Sequence, residues 1–230
     1  MNIIVTGASR GIGRQLVLNL AGREGNTVMA IARNKEMLNS LRSDMPGNTR
    51  IIPVPFDLRN GDFEVLAKDI RGHFSEIHAL VNNAGALVNK KISKLTADDF
   101  DLMMDVNVKA AFMLTQALIP IFETDAHIVN ISSMGGVQGS AKFPGLSLYS
   151  ASKGALAILS ECMAEELKEF RISVNCLALG AAQTEMLAEA FPGYKAPLTA
   201  EKMAAYIADF VMNGHHYYNG KILPLSLSTP

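Results

Sequence analysis

Ile3-Ile4-Val5-Thr6-Gly7-Ala8-Ser9-Arg10-Gly11-Ile12-Gly13 is the stretch that decides the fold. An apolar, β-branched run breaks into glycines, and an amphipathic pattern starts at once behind them. A strand that turns directly into a helix needs a tight turn, an approachable backbone and a bare helix N-terminus. Unpaired N–H groups and the positive end of the helix dipole then face outward together, which suits a pyrophosphate. The residues that would line such a cradle are Gly7, Ser9, Arg10, Gly11, Ile12 and Gly13. The spacing Gly-x-x-x-Gly-x-Gly is neither the usual Gly-x-Gly-x-x-Gly turn nor a Walker loop. A glycine-rich turn without a ligand has the same composition.

Outward from this stretch, short apolar runs alternate with amphipathic ones. Strands are predicted over 3–6, 27–32, 51–56, 79–82, 127–132, 172–178 and 221–225. Most are continuous runs of Val, Ile and Leu, as expected of strands covered on both faces. Helices are predicted over 11–23, 35–43, 63–73, 97–122, 150–170 and 200–213. The alternation implies a doubly wound, three-layer α/β fold with a seven-stranded parallel sheet. Thr96-Ala97-Asp98-Asp99 predicts a capping box at the start of the longest helix, and Pro120 predicts its end or a kink.

Composition narrows the function classes. The chain has 230 residues, 49% of them hydrophobic, which suffices for one domain over 1–230 with a full core. Lys+Arg 21 against Asp+Glu 22 leaves a net charge of −1, without the basic excess of a nucleic-acid binder. Cys162 and Cys176 give neither a disulfide framework nor a metal spacing, so no metal is expected and reduced thiols are. No targeting segment shows, and no stretch approaches the roughly 20 apolar residues of a membrane span. The expectation is a cytoplasmic protein without a membrane or nucleic-acid partner.

Three features carry chemistry. The second predicted strand ends in Ile31-Ala32-Arg33-Asn34, where an NAD-binding fold usually has an acidic residue for the ribose 2′-hydroxyl. Here Arg33 follows Ala32, and Arg10 is a second cation expected on the same side. Two guanidiniums suit a 2′-phosphate, which arginine grips through a fork of N–H groups. Further on, Tyr149-Ser150-Ala151-Ser152-Lys153 opens a predicted helix, with Tyr149 and Lys153 on one face. A tyrosine titrates near ~10, and a neighbouring ammonium is expected to lower that value and make the pair a proton-transfer device. Ser133 lies at the carboxyl end of a predicted strand, the usual ligand edge of such a sheet.

Together these motifs resemble the short-chain dehydrogenase/reductase family over essentially the whole chain. The matches are Thr6-Gly7-x-x-x-Gly11-x-Gly13, Asp57-Leu58, Asn82-Asn83-Ala84-Gly85, Asn107, Ser132-Ser133 and Tyr149-x-x-x-Lys153, in the family's order. The resemblance implies a Rossmann fold binding NADP(H). It implies Tyr149 as general acid in reduction and base in oxidation, and Ser133 as the hydroxyl that orients a carbonyl. Lys153 is then the residue that lowers the Tyr149 pKa and holds the nicotinamide ribose, and Asn107 anchors a water that relays protons. Asp57 and Leu58 meet the adenine, Asn83, Ala84 and Gly85 line the adenosine side, and Thr184 contacts the carboxamide. The implied reaction is hydride transfer between NADP(H) and a small carbonyl or alcohol substrate.

Three departures from the family pattern stand out. Leu179-Gly180 replaces its Pro-Gly, Ser133 and Tyr149 lie further apart than is common, and the tail from Pro224 to Pro230 lacks its Asp-Gly-Gly ending. Specificity is expected in 134–148 and in a substrate loop over about 180–198, where Met186-Leu187 and Ala190-Phe191 have the spacing of a helical lid. Met134, Phe143, Leu146 and Tyr194 are further candidates for an apolar pocket wall. The predicted helices holding Ala110, Ala111, Met113 and Leu114, and Ala155, Leu156, Ile158, Leu159, Met163 and Ala164, are apolar nearly all round. That predicts a homodimer or homotetramer through them, with burial inside one subunit as the alternative. The alternative functions are a catalytically silent NADP-binding regulatory or scaffold protein and an NAD-dependent alcohol dehydrogenase.

Overall fold

The computed structural model describes residues 1–45 and 50–227. Its strands are β1 (Asn2–Thr6), β2 (Thr27–Ala32), β3 (Ile51–Pro55), β4 (Ile77–Asn82), β5 (Phe122–Ser133), β6 (Ser173–Leu179), β7 (Ala182–Gln183), β8 (Leu198–Thr199) and β9 (Ile222–Leu225). Seven of them form one sheet in the order β3-β2-β1-β4-β5-β6-β9, each parallel to its neighbours. The order runs outward from β1 to β3 and then returns to β4. The carboxyl ends of β1 and β4 therefore diverge, and a crevice opens between their loops.

The helices are α1 (Gly11–Ala21), α2 (Lys35–Asp44), α3 (Phe63–His73), α4 (Ala97–Met104), α5 (Ala110–Leu118), α6 (Ser147–Glu166), α7 (Glu185–Ala190) and α8 (Ala200–Asn213). Successive strand residues point to opposite faces, and the two cores divide accordingly. Ile3 and Val5 pack with Leu16, Leu20, Met203 and Ile207 of α1 and α8. Ile4 packs on the other side with Leu66, Ile70, Leu114 and Met163 of α3, α5 and α6. Each fully buried Leu or Ile contributes about 1.5–3 kcal/mol. These two layers cover the central strands and make the expected three-layer Rossmann architecture.

Several boundaries depart from expectation. The helix predicted over 97–122 is interrupted. Thr96 does form the capping box with Asp99, but a π turn at Asp105–Lys109 separates α4 from α5. Pro120 stands in a 3₁₀ turn at Ile119–Ile121, so β5 starts at Phe122, earlier than predicted. The stretch Ala97–Ile121 is long and apolar enough by composition to cross a bilayer, which corrects the expectation that no stretch approaches that size. In the fold it is interrupted, and one side of it packs on the core. Ala110, Ala111, Leu114 and Leu118 are buried, as are Leu156, Met163 and Ala164 on α6. The subunit's own core thus covers much of the apolar surface that had suggested a partner. Phe112 and Ile158 remain outside, 40% and 60% exposed. The tail residues 228–230 lie outside the described residues.

At the amino end of the sheet, His127 is fully buried. Its Nδ1 lies 3.1 Å from the Val211 carbonyl, which accepts, and Nε2 lies 3.1 Å from the donating Asn175 amide. Burial pushes its pKa down to about 4, against the Val211 bond, and His215 and His216 push the same way. The unfolded chain therefore takes up a proton below about pH 6.5 that the native ring refuses. Stability should fall as pH drops from about 6.5 to about 4, by about 2 kcal/mol at pH 5 from this group alone. Urea unfolding at pH 7.5 and pH 5, with His127→Gln for comparison, measures it; the variant should lose most of the slope.

Candidate functional site

The crevice is held at its base by one hydroxyl. Thr6 Oγ1, at the end of β1, accepts from the backbone N–H groups of Asn83 and Ala84, each at 3.1 Å, just beyond β4. The Asn83 side-chain amide donates back to the Thr6 carbonyl at 2.9 Å and the Gly7 carbonyl at 3.3 Å. Gly7 adopts φ +68°, and a side chain there would stand 2.7 Å from Ala84 Cα. A Cβ at Gly13 would fall on the Gly7 carbonyl oxygen. Both positions need glycine, one for its backbone angle and one for close packing. Arg10 precedes α1 with an extended backbone and makes no side-chain cap, and the first turn carries no acid. The leading N–H groups are thus free of a side-chain cap, and Ser9 and Ile12 flank them half-buried. This is a cradle that fits a dinucleotide pyrophosphate.

The adenosine side is less simple than the spacing suggested. Arg33 is exposed at the end of β2, and its charge acts on Asp57. Asp57 accepts from the Arg59 N–H and the Asn60 side-chain amide, both at 3.0 Å, and these bonds hold its carboxyl below the usual range. Leu58 beside it is buried. Arg10 Nη1 pairs with Glu189 Oε1 of α7 at 2.7 Å.

Across the crevice, α6 starts two residues before Tyr149, so both Tyr149 and Lys153 sit within the helix. The Ser133 hydroxyl faces that of Tyr149 closely enough to act on its titration. Ser133 Oγ also accepts from the Gly135 N–H at 3.2 Å. Lys153 is buried, and its Nζ donates to the Ile131 carbonyl at 2.7 Å. Burial lowers its pKa to about 8. Asn107 occupies the π turn. Its Oδ1 accepts from the Ala86 N–H at 2.7 Å, and its Nδ2 donates to the Ala86 carbonyl at 3.0 Å. A Cβ at Gly85 would stand 3.4 Å from Asn107 Oδ1 and 3.5 Å from Lys153 Nζ, so these polar atoms converge on one spot. Thr184 caps α7, accepting from Leu187 N at 3.2 Å, and its side chain lies next to Gly11.

Burial raises the Tyr149 pKa and the Ser133 hydroxyl opposes that rise, while Lys153 Nζ is directed at the Ile131 carbonyl.

Sequence reasoning missed Ser152. It is fully buried, accepts from Asn107 Nδ2 at 2.8 Å and donates to the Tyr149 carbonyl at 2.8 Å. It therefore joins the π turn to the helix that carries Tyr149 and Lys153. Its signal was a hydroxyl inside a helix otherwise lined with small and apolar residues. Ser132 was read only as half of a pair, yet its Oγ donates to the Lys153 carbonyl at 2.7 Å and pins α6 to β5.

A parallel doubly wound sheet, a glycine cradle at its switch point and a Ser-Tyr-Lys-Asn cluster facing it define a dinucleotide-dependent oxidoreductase. The chain belongs to the short chain dehydrogenase family, whose model matches residues 1–195. It is 35% identical over 219 residues to an NADPH-dependent pterin aldehyde reductase of Arabidopsis thaliana, covering 92% of this chain and 87% of that protein. It is 37% identical over 188 residues to an L-xylulose reductase of Caenorhabditis elegans, covering 80% of this chain and 72% of that one. A putative short chain dehydrogenase of Escherichia coli CFT073, solved with NADPH, superposes with a TM-score of 0.87 at 30% identity. The superposition covers 97% of this chain and 95% of the other.

Proposed function

We propose that the protein is an NADP(H)-dependent reductase of a small aldehyde or ketone. The observation that carries this is the Ser133–Tyr149 pair of neighbouring hydroxyls beside buried Lys153 and Asn107. Reducing a carbonyl needs a hydride at carbon and a proton at oxygen, and a bound nicotinamide supplies the hydride. Ser133 and Tyr149 hold the carbonyl oxygen and stabilise the charge that develops there. Tyr149 gives its hydroxyl proton to that oxygen. Lys153, with its pKa near 8, is suited to return a proton at neutral pH. The Asn107 amide oxygen faces the same spot and is placed to hold a relay water. Ala32 and Arg33, in place of a carboxylate at the end of β2, support the 2′-phosphorylated cofactor. The printed activity of the Arabidopsis relative and the NADPH in the E. coli structure support the same choice.

The substrate wall is apolar. Met134 and Leu146 are buried, Met186 and Phe191 are half-buried, and Phe143 and Tyr194 are exposed at the rim. Lys142, beside Phe143 in the chain, spends its ammonium on the Val137 and Ser140 carbonyls. An uncharged carbonyl compound suits this wall better than an anionic one. The substrate loop in this proposal is 180–198, which includes α7. A second copy of the chain is proposed to cover the exposed Phe100, Phe112 and Ile158.

Three measurements test this reading. Tyr149→Phe should cut NADPH oxidation with carbonyl substrates by at least about 100-fold, while NADPH binding followed by fluorescence is retained. Surviving activity would remove Tyr149 from the mechanism. Arg33→Asp should move preference from NADPH toward NADH; equal use of both by the starting protein would sink the cofactor assignment. In light scattering a stable monomer would rule out the second copy, and a dimer or tetramer is expected.

A further inference from the structure

We infer that Glu189 is a specificity-determining residue. It competes with the cofactor's 2′-phosphate for Arg10 and so sets how strongly the protein prefers NADP(H). This rests on the NADP(H) reading above and deepens it.

The placement of α7 carries the inference. Thr184 caps its start, and the Asn89 side-chain amide donates to the Ala190 carbonyl at 2.8 Å at its end. The segment is thereby tied to the loop after β4 on one side of the crevice. Glu185 and Glu189 lie one helical turn apart and share a face. That face meets the glycine cradle. Glu189 Oε1 pairs with Arg10 Nη1 at 2.7 Å, and a Cβ on Gly11 would come within 3.4 Å of Glu185 Oε2. Two carboxylates thus stand over a loop built to receive phosphates.

The neighbouring cations do not relieve this. Arg14 is turned toward α2, where it bonds the Met37 carbonyl at 3.1 Å and the Asp44 carboxylate. Arg33 shares its field with Asp57. Arg10 is therefore contested between a fixed carboxylate and an arriving phosphate. A phosphate gripped by a bidentate fork outweighs a carboxylate held through one nitrogen, so the competition lowers affinity without abolishing it. The pair is half in solvent, at 42% and 63% exposure. Exposed ion pairs of that kind correspond to an effect of about 1.5- to 5-fold on an equilibrium.

The test uses the full chain and two probes that differ only in the 2′-phosphate, 2′,5′-ADP and 5′-AMP, titrated calorimetrically. Glu189→Gln keeps the shape and removes the charge. It should tighten 2′,5′-ADP by about two- to five-fold, leave 5′-AMP unchanged, and have no effect on either probe in an Arg10→Met background. Unchanged or weaker 2′,5′-ADP binding in Glu189→Gln overturns the inference, the weaker case showing a clasp rather than a competitor. Tightening that persists with Arg10→Met overturns it too, because the field and not the pair would then be responsible. Equal affinity of the starting protein for both probes overturns the NADP(H) reading. If Glu189→Gln then creates a preference for 2′,5′-ADP, the competition stands by itself; if it does not, both fall.

Discussion

The site depends on the Thr6 hydroxyl. Parallel strands that diverge at their carboxyl ends leave loops with no ladder to hold them, and loops so placed move unless something ties them. Thr6 ties them with two accepted N–H bonds, and the Asn83 amide returns the tie from the other side. All these groups are backbone or short side chains, so the tie holds little conformational freedom. The glycine cradle and the Asn83-Ala84-Gly85 turn are consequently a single rigid rim. Everything placed against that rim, from α1 to the Ala86 backbone that Asn107 grips, inherits its position from it.

A second set of polar bonds runs beneath α6. Asn82 and Asn130 stand opposite each other on β4 and β5, and Asn82 donates to Asn130 at 2.8 Å. Asn130 passes the chain to Ser160 on α6 at 2.8 Å, and Ser160 ends it on the Leu156 carbonyl at 2.7 Å. Cys176, on the next strand, lies against Ser160 and Ser132, and burial pushes its thiol up to about 11. An apolar layer would let α6 slide along the sheet at small cost. Directional bonds do not, because a shifted helix would leave buried donors unpaired. Tyr149 and Lys153 therefore owe their register to polar residues deeper along the helix and the sheet.

What the sequence made legible follows from how local each feature is. The strand–glycine–helix stretch could be read because glycine spacing and β-branching act within a few residues. Tyr149 and Lys153 could be read because helical spacing alone puts them on one face. Arg10 could be read as a cation near the loop, but its partner Glu189 is remote in the chain, and no local pattern reports such a pair. Spacing shows a neighbouring ammonium, but only the fold shows its bond to the Ile131 carbonyl and the burial of the phenol. Asn107 stood out as a poor helix former in an apolar run, yet the π turn that it occupies has no sequence signature of its own.

That π turn carries a consequence for the phase of the chain. Phe100 and Leu114 are two heptads apart in number, so an unbroken helix would bring them to nearly the same side. In the fold Phe100 is 48% exposed and Leu114 is wholly buried. The extra residue in the turn rotates α5 by about 100° relative to a regular continuation of α4. The segment thus behaves as a gear with one tooth inserted. A surface loop absorbs a gained or lost residue in solvent, but here such a change becomes a rotation. It would carry the Leu114 and Leu118 stripe off the sheet and swing Asn107 away from Ala86 together. The length of chain between Thr96 and Pro120 is accordingly constrained as tightly as the identity of any residue in it.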